Sequence, residues 1–204
     1  VTLAVVAYGM GNIRSIVNAF DHLGHAVTVA SEPGQILAAA KILLPGVGAF
    51  RQAMDRLEAG GFRAVLDEAV LGRKTPVLGI CLGMQLLAAT GTEGGESPGL
   101  GWIPGRVEII PRNPPSLRLP HVGWNELRIL RDCPLLSAVT GDLSMYFVHS
   151  YHLVAANPDD VTAVADYGGP IAAAVRRGQI FGFQPHPEKS QRAGLALLDR
   201  FARL

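Results

Sequence analysis

Short apolar runs divide the first half of the chain. Leu3–Ala7, His25–Ala30, Lys41–Leu44 and Thr75–Ile80 are mostly apolar, are bounded by Gly, Pro or charged residues, and read as strands. Between them the apolar positions change to helical spacing. Ile13, Ile16, Val17, Phe20 and Leu23 share one face, and Gly24 supplies a stop. Pro33–Ala40 reads as a short helix. Phe50–Leu71 reads as a longer one broken at Gly60–Gly61, and Leu82–Ala89 as a third. Strand–helix alternation of this kind predicts α/β architecture: an open, mostly parallel central sheet with helices on both faces.

The second half has a different rhythm. Gly91–Pro104 is rich in Gly and Pro and reads as loop, Arg106–Ile110 as a strand, and "PRNPPSLRLPHVGWN" as a Pro-rich loop. Strand-like segments follow at Met145–Ala155, Val161–Tyr167, Ile171–Arg176 and Ile180–Gln184. Ser190–Leu204 closes as a helix, with Leu195, Leu198, Phe201 and Ala202 on one face. An antiparallel section in the C-terminal half, set before the last helix, is therefore expected within a single domain spanning 1–204.

Composition narrows the classes. The chain has 204 residues and 49% hydrophobic positions, enough for a full core. A net charge of +1 gives no reason to expect nucleic acid or an acidic membrane surface as partner. Two cysteines, Cys81 and Cys133, argue against a disulfide framework and fit a reducing compartment. No apolar run reaches membrane-spanning length, and "VTLAVVAYGMGN" reads as a first strand and not as a leader. A cytoplasmic location is expected. His149-x-x-His152 lacks a third ligand at a usual spacing, so no metal site is expected. "YGMGNIR" is only half of a dinucleotide loop, since Arg14 stands where a third glycine belongs, and no cofactor is expected.

One stretch carries candidate chemistry. In "TPVLGICLGMQLL" an apolar strand runs into Gly79-Ile80-Cys81-Leu82-Gly83, and a helix pattern follows at once. This is the nucleophile-elbow spacing with Cys in place of Ser. The glycines remove side chains where strand and helix would collide, and the turn lifts Cys81 to a strand's carboxyl end, where α/β sheets bind ligands. The Leu82 N–H is then free to hold an oxyanion. "LLPGVGAF" ends the third strand with Gly46 and Gly48 and offers a second donor. "FGFQPHPEKS" supplies His186 as base and Glu188 to orient it. Each piece also has a plain structural reading: a buried core cysteine, a strand-end turn, a solvated surface His and Glu. His121, His149 and His152 read as core or loop histidines bonded to backbone.

The Gly-Ile-Cys-Leu-Gly-Met-Gln elbow with a later His-Pro-Glu resembles the class I, or triad, glutamine amidotransferases. Within them "YGMGNIRS", "LPGVGAF", "PHVGWNEL", "YFVHSYH" and "GFQPHPEKS" are similar, in order and over nearly the whole chain, to the glutaminase subunits of imidazole glycerol phosphate synthases. The resemblance implies hydrolysis of L-glutamine to glutamate and ammonia by a Cys81–His186–Glu188 triad through a γ-glutamyl thioester. It implies an oxyanion hole from the N–H groups of Leu82 and Val47, and a glutamine pocket of Gly48, Gln85, Glu93, Ser150 and Tyr151. It also implies a heterodimer with a (β/α)8 cyclase subunit of histidine biosynthesis, which receives the ammonia, faced by Asn12, Trp124 and Asn125. Two positions depart from the usual pattern: Pro185, where the family has an aromatic before the histidine, and Ala7, often acidic. A standalone cysteine hydrolase, a glutaminase serving another synthase and a catalytically inert binding subunit remain competing readings.

Overall fold

The computed structural model describes residues 2–204. In chain order its elements are β1 (Leu3–Val6), α1 (Ile13–His22), β2 (Val27–Ala30), α2 (Gly34–Leu37), β3 (Lys41–Gly46), α3 (Phe50–Ala59) and α4 (Phe62–Asp67), which runs on into a wider turn at Glu68–Gly72. Then come β4 (Val77–Cys81), α5 (Leu82–Leu86), β5 (Ala88–Gly91), β6 (Ser97–Pro98), β7 (Ile103–Ile109), β8 (His121–Glu126) and β9 (Arg128–Ile129). The last are β10 (Ser144–His149), β11 (Tyr151–Ala155), β12 (Val161–Asp166), β13 (Pro170–Arg177), β14 (Ile180–Phe183) and α6 (Gln191–Arg203).

The main sheet has the order β2-β1-β3-β4-β14-β13-β12-β9. The first five strands are parallel and the rest antiparallel, so the expected fold class holds. The side chains of β1, β3, β4 and β14 are buried throughout, as parallel strands covered on both faces must be. One face carries the core of α2, α3 and α4, with Ile36, Phe50, Met54, Leu57, Phe62 and Leu66. The other carries α1 and α6, with Ile16, Phe20, Leu197, Leu198 and Phe201. Smaller sheets have the orders β11-β7-β5-β6 and β10-β8.

The structure corrects several expectations. Met145–Ala155 is divided at Ser150 into β10 and β11, which lie in different sheets. The helix after Cys81 stops at Leu86, because the Leu86 and Leu87 carbonyls accept from Leu100 and Ile103 at 2.8 and 3.0 Å. A continuing helix would need those carbonyls for itself. Most of "PHVGWN" is strand β8, paired antiparallel to β10 with His121 opposite His149. Its apolar Val122 and Trp124 are exposed while Gly123 and Asn125 are half-buried, which hides the alternation. On α6 the buried face is Gly194, Leu197, Leu198 and Phe201, while Leu195 and Ala202 lie at its margin. Gly194 sits so close to the Pro187 carbonyl that a Cβ there would overlap its oxygen.

Glycines set the approach of β3, β4 and α5. A Cβ on Gly83 would overlap the Leu44 carbonyl oxygen, and one on Gly79 would lie 2.6 Å from the Gly83 oxygen. Gly83→Ala is accordingly expected to prevent folding or to lower the thermal midpoint steeply. Gly34→Ala, where nothing lies within 4 Å, should leave it within a few degrees of the parent. Melting of both variants by circular dichroism checks the contrast.

Candidate active site

Cys81 is the last residue of the central strand β4, with β3 on one side and β14 on the other. Its backbone is at φ 55, ψ −112, a region non-glycine residues avoid. That strain turns the chain out of the sheet and points the thiol at a cavity of about 420 Å³. Val47, Gly48, Cys81, Leu82, Gln85, Glu93, Ser150, Tyr151 and His186 all line it. The residues expected to form a glutamine pocket and an oxyanion hole therefore meet in one place. Glu188 stands just behind. Its Oε1 is 2.8 Å from Nδ1 of His186, and both side chains are almost fully buried. The His186 backbone is extended, and Pro187–Lys189 form a short 3₁₀ turn that folds Glu188 back. Nε2 of His186 makes no hydrogen bond among the described residues.

Pro185 does not displace this pair. The ladder of β14 ends at Phe183, so no strand bond is lost, and the His186 N–H donates to the Tyr146 carbonyl at 2.9 Å. The Ser190 hydroxyl donates to the His186 carbonyl at 2.6 Å and accepts from the Tyr146 N–H at 3.0 Å, tying the turn to β10.

Two of the residues expected in a glutamine pocket also serve the fold. The Glu93 carboxylate accepts from the Phe50 N–H at 2.9 Å, at the start of α3, where Ala49 offers no side-chain cap. Gln85 is buried, and its Nε2 donates to the Tyr151 carbonyl at 2.8 Å and to Oε1 of Gln184 at 3.1 Å. Asn12 caps α1 through the Ser15 N–H and is exposed. Trp124 is 50% exposed, edge-on to Tyr146, and so is not a core residue. Asn125 instead bonds inward, to Nε2 of His121 and the Asp166 carbonyl.

Tyr8 and Gln184 were not singled out from sequence, and His149 was read only as a core or loop histidine. The Tyr8 hydroxyl donates to the Pro45 carbonyl at 2.8 Å, and the Met10 methyl packs at Gly48, so the "YGMGN" loop lies directly against the Pro45–Gly48 segment. Burial, with Cys81 adding to it, pushes the Tyr8 phenol far above its ordinary range. His149 lines the cavity. Its Nδ1 faces the Tyr151 carbonyl at 2.9 Å, so Nδ1 carries the proton and Nε2 accepts from Nδ1 of His121 at 3.1 Å. Only the place of Tyr8 and Gln184 inside quoted motifs signalled them. His152, also buried, has neither ring nitrogen bonded among the described residues, contrary to the expected backbone bond. Cys133 is buried in the second core, away from the cavity lining.

The glutamine amidotransferase class-I family model matches residues 4–203. The chain belongs to the class I glutamine amidotransferases. Relatives are 45% identical over 202 residues in Moorella thermoacetica, covering 99% of this chain and 94% of the relative, and 46% identical over 204 residues in Salinibacter ruber, covering 98% and 93%. Both are named imidazole glycerol phosphate synthase subunit HisH. Among solved structures, a crystal structure of a glutamine amidotransferase has a TM-score of 0.75 at 18% identity, covering 99% of each chain. PurLQS from Thermotoga maritima has 0.74 at 18%, covering 99% of this chain and 97% of that one. These two show the shared fold.

In this class I amidotransferase the buried imidazoles titrate apart. Burial pulls His186 down, but Cys81 and Glu188 outweigh it and hold the ring up at about 9. Burial lowers His121 to about 4 and, helped by neighbouring imidazoles against the Tyr151 carbonyl, His149 to about 3.

The signs give a pH optimum of stability. A raised His186 stabilises the fold fully below the ordinary 6.5, and this is lost as pH rises through about 9. The lowered His121 and His149 destabilise as pH falls below 6.5, where the unfolded chain takes up protons that the native rings refuse. Urea unfolding from pH 4 to 9.5 should show maximal stability near pH 6.5, and Glu188→Gln should flatten the alkaline limb. Tyr8→Phe, which leaves the Pro45 carbonyl unpaired, should cost about 1–3 kcal/mol in the same assay.

Proposed function

We propose that this chain is the glutaminase subunit of an imidazole glycerol phosphate synthase, acting as one domain over 1–204. It hydrolyses L-glutamine to glutamate and ammonia and passes the ammonia to a (β/α)8 cyclase subunit of histidine biosynthesis. The observation that carries the reading is the convergence of the strained Cys81 with the buried His186–Glu188 pair on one cavity. The names of the full-length relatives supply the synthase.

Cys81 is assigned as nucleophile. Sulfur attacks the side-chain carboxamide carbon of glutamine, forming a C–S bond and a tetrahedral oxyanion. The Leu82 N–H and the Val47 N–H are assigned to that oxyanion, each worth roughly 10²–10³ in rate where such donors have been removed. Collapse breaks the C–N bond, and His186 gives the leaving nitrogen its proton. Glu188 holds the ring in the tautomer that does so. Water then adds to the thioester with His186 as base, the C–S bond breaks and glutamate leaves. Gly48, Gln85, Glu93, Ser150 and Tyr151 are assigned to the amino-acid end of the substrate.

Asn12, Trp124 and Asn125 are assigned to the cyclase face. Exposed Val122, Val148 and Trp124 on the β8–β10 ribbon, with Val47 at the cavity mouth, form an apolar rim suited to a protein partner. A cytoplasmic location is part of the same reading. Among the described residues no helix is long and apolar enough to cross a membrane.

Cys81→Ser should reduce glutamine-dependent synthesis by at least about 10³-fold while leaving assembly with the cyclase subunit and ammonia-dependent synthesis intact. Steady-state assays of the reconstituted heterodimer measure all three. Retained glutamine turnover in that variant would contradict the assignment.

A further inference from the structure

We infer that Gln184 is a further catalytic residue: its side-chain N–H is the donor that holds the ionised sulfur of Cys81, in a direction locked by Gln85 and the Tyr151 carbonyl. This rests on Cys81 being the nucleophile.

Gln184 follows β14 directly, beside Cys81 on the neighbouring strand, since Phe183 pairs with Ile80. Its backbone N–H donates to the Ala173 carbonyl at 2.9 Å, and the residue is completely buried. Its Nε2 lies 3.8 Å from Sγ of Cys81, within reach of an N–H···S contact, and has no other partner among the described residues. A glutamine in the core with its amide nitrogen spent only on sulfur is costly unless the sulfur accepts well. A thiol is a weak acceptor; a thiolate is a strong, charge-assisted one.

The direction of the amide follows from its neighbours. A backbone carbonyl can only accept, so Gln85 must turn its nitrogen toward Tyr151. The same nitrogen faces Gln184, which must therefore present its oxygen to Gln85 and its nitrogen to sulfur. A flipped Gln184 would set two donors against each other and an oxygen lone pair against the thiolate. The Tyr151 carbonyl also takes Nδ1–H of His149, whose line continues through His121 to Asn125 in β8. The amide is thus oriented through a continuous line of hydrogen bonds that runs from β11 into the β8–β10 ribbon.

Gln184 and His186 act on the same atom in different ways. His186 moves protons; Gln184 has no proton to give up and only favours negative charge on sulfur. It favours it twice, before attack and again when the C–S bond of the thioester breaks and its electron pair returns to sulfur.

The test is the alkylation rate of Cys81 by iodoacetamide on the full chain, read by mass spectrometry of the Cys81 peptide with Cys133 as internal control. The rate at pH 7 is divided by the rate at pH 10, where thiols in general are ionised. Gln184→Met, which keeps the length and removes the donor, should lower that ratio about tenfold, as should Gln184→Leu. In the heterodimer kcat should fall about tenfold with KM within twofold, because Gln184 does not line the cavity. A ratio within twofold of the parent in a folded variant overturns the inference. Should neither variant melt cooperatively, the parent still decides: the Gln184 side-chain amide protons in a ¹⁵N spectrum should move downfield over the pH range in which Cys81 becomes reactive, and an unmoved resonance overturns it. A parent in which iodoacetamide leaves Cys81 unlabelled while Cys133 reacts would instead remove the reading of Cys81 as nucleophile.

Discussion

The constraint on which the structure turns is the contact between β3, β4 and α5. Gly46, Gly79 and Gly83 meet there without side chains, and a Cβ on any of them would run into neighbouring atoms, chiefly backbone. That closeness holds Cys81 in a conformation with positive φ, and the conformation delivers the thiol to the cavity. Strain of this kind costs about 1–3 kcal/mol and persists only where surrounding packing over-determines it. Buried parallel strands on both sides of β4 supply that packing.

Around the elbow, polarity is arranged by backbone groups. The Tyr146 carbonyl takes the His186 N–H, the Pro45 carbonyl takes the Tyr8 hydroxyl, and the Tyr151 carbonyl takes both Gln85 and His149. The Tyr151 carbonyl fixes which atom of Gln85 and which ring nitrogen of His149 carries hydrogen. The result is one imidazole, His186, held protonatable beside carboxylate and thiol, and two others, His121 and His149, held neutral. Separated titrations in adjacent rings are what a site with a single proton carrier requires.

Much of this was legible in the sequence. Short apolar runs with period-3.6 patterns between them gave the parallel half, because strands buried on both faces are written as plain apolar runs such as Lys41–Leu44. The elbow was legible from Gly79 and Gly83, and the pair from His186 and Glu188, because their spacing is a local geometric demand. Strand β8 was not: its Val122, Trp124 and Glu126 face outward, and Gly123 breaks the alternation. The short span of α5 was equally hidden, since carbonyls captured by Leu100 and Ile103 are a long-range effect. Gln184 and Tyr8 lay in plain view within motifs, but what they touch is set by register between strands, which no local pattern encodes.

The central claim is that sulfur of Cys81 bonds covalently to the side-chain carboxamide carbon of glutamine. Acid quenching of the heterodimer during turnover, followed by mass analysis of the cysteine peptides, tests it most directly. The account predicts a γ-glutamyl adduct on the Cys81 peptide that accumulates to a steady level and decays once glutamine is exhausted. Full turnover with no adduct, or an adduct on Cys133, would contradict it.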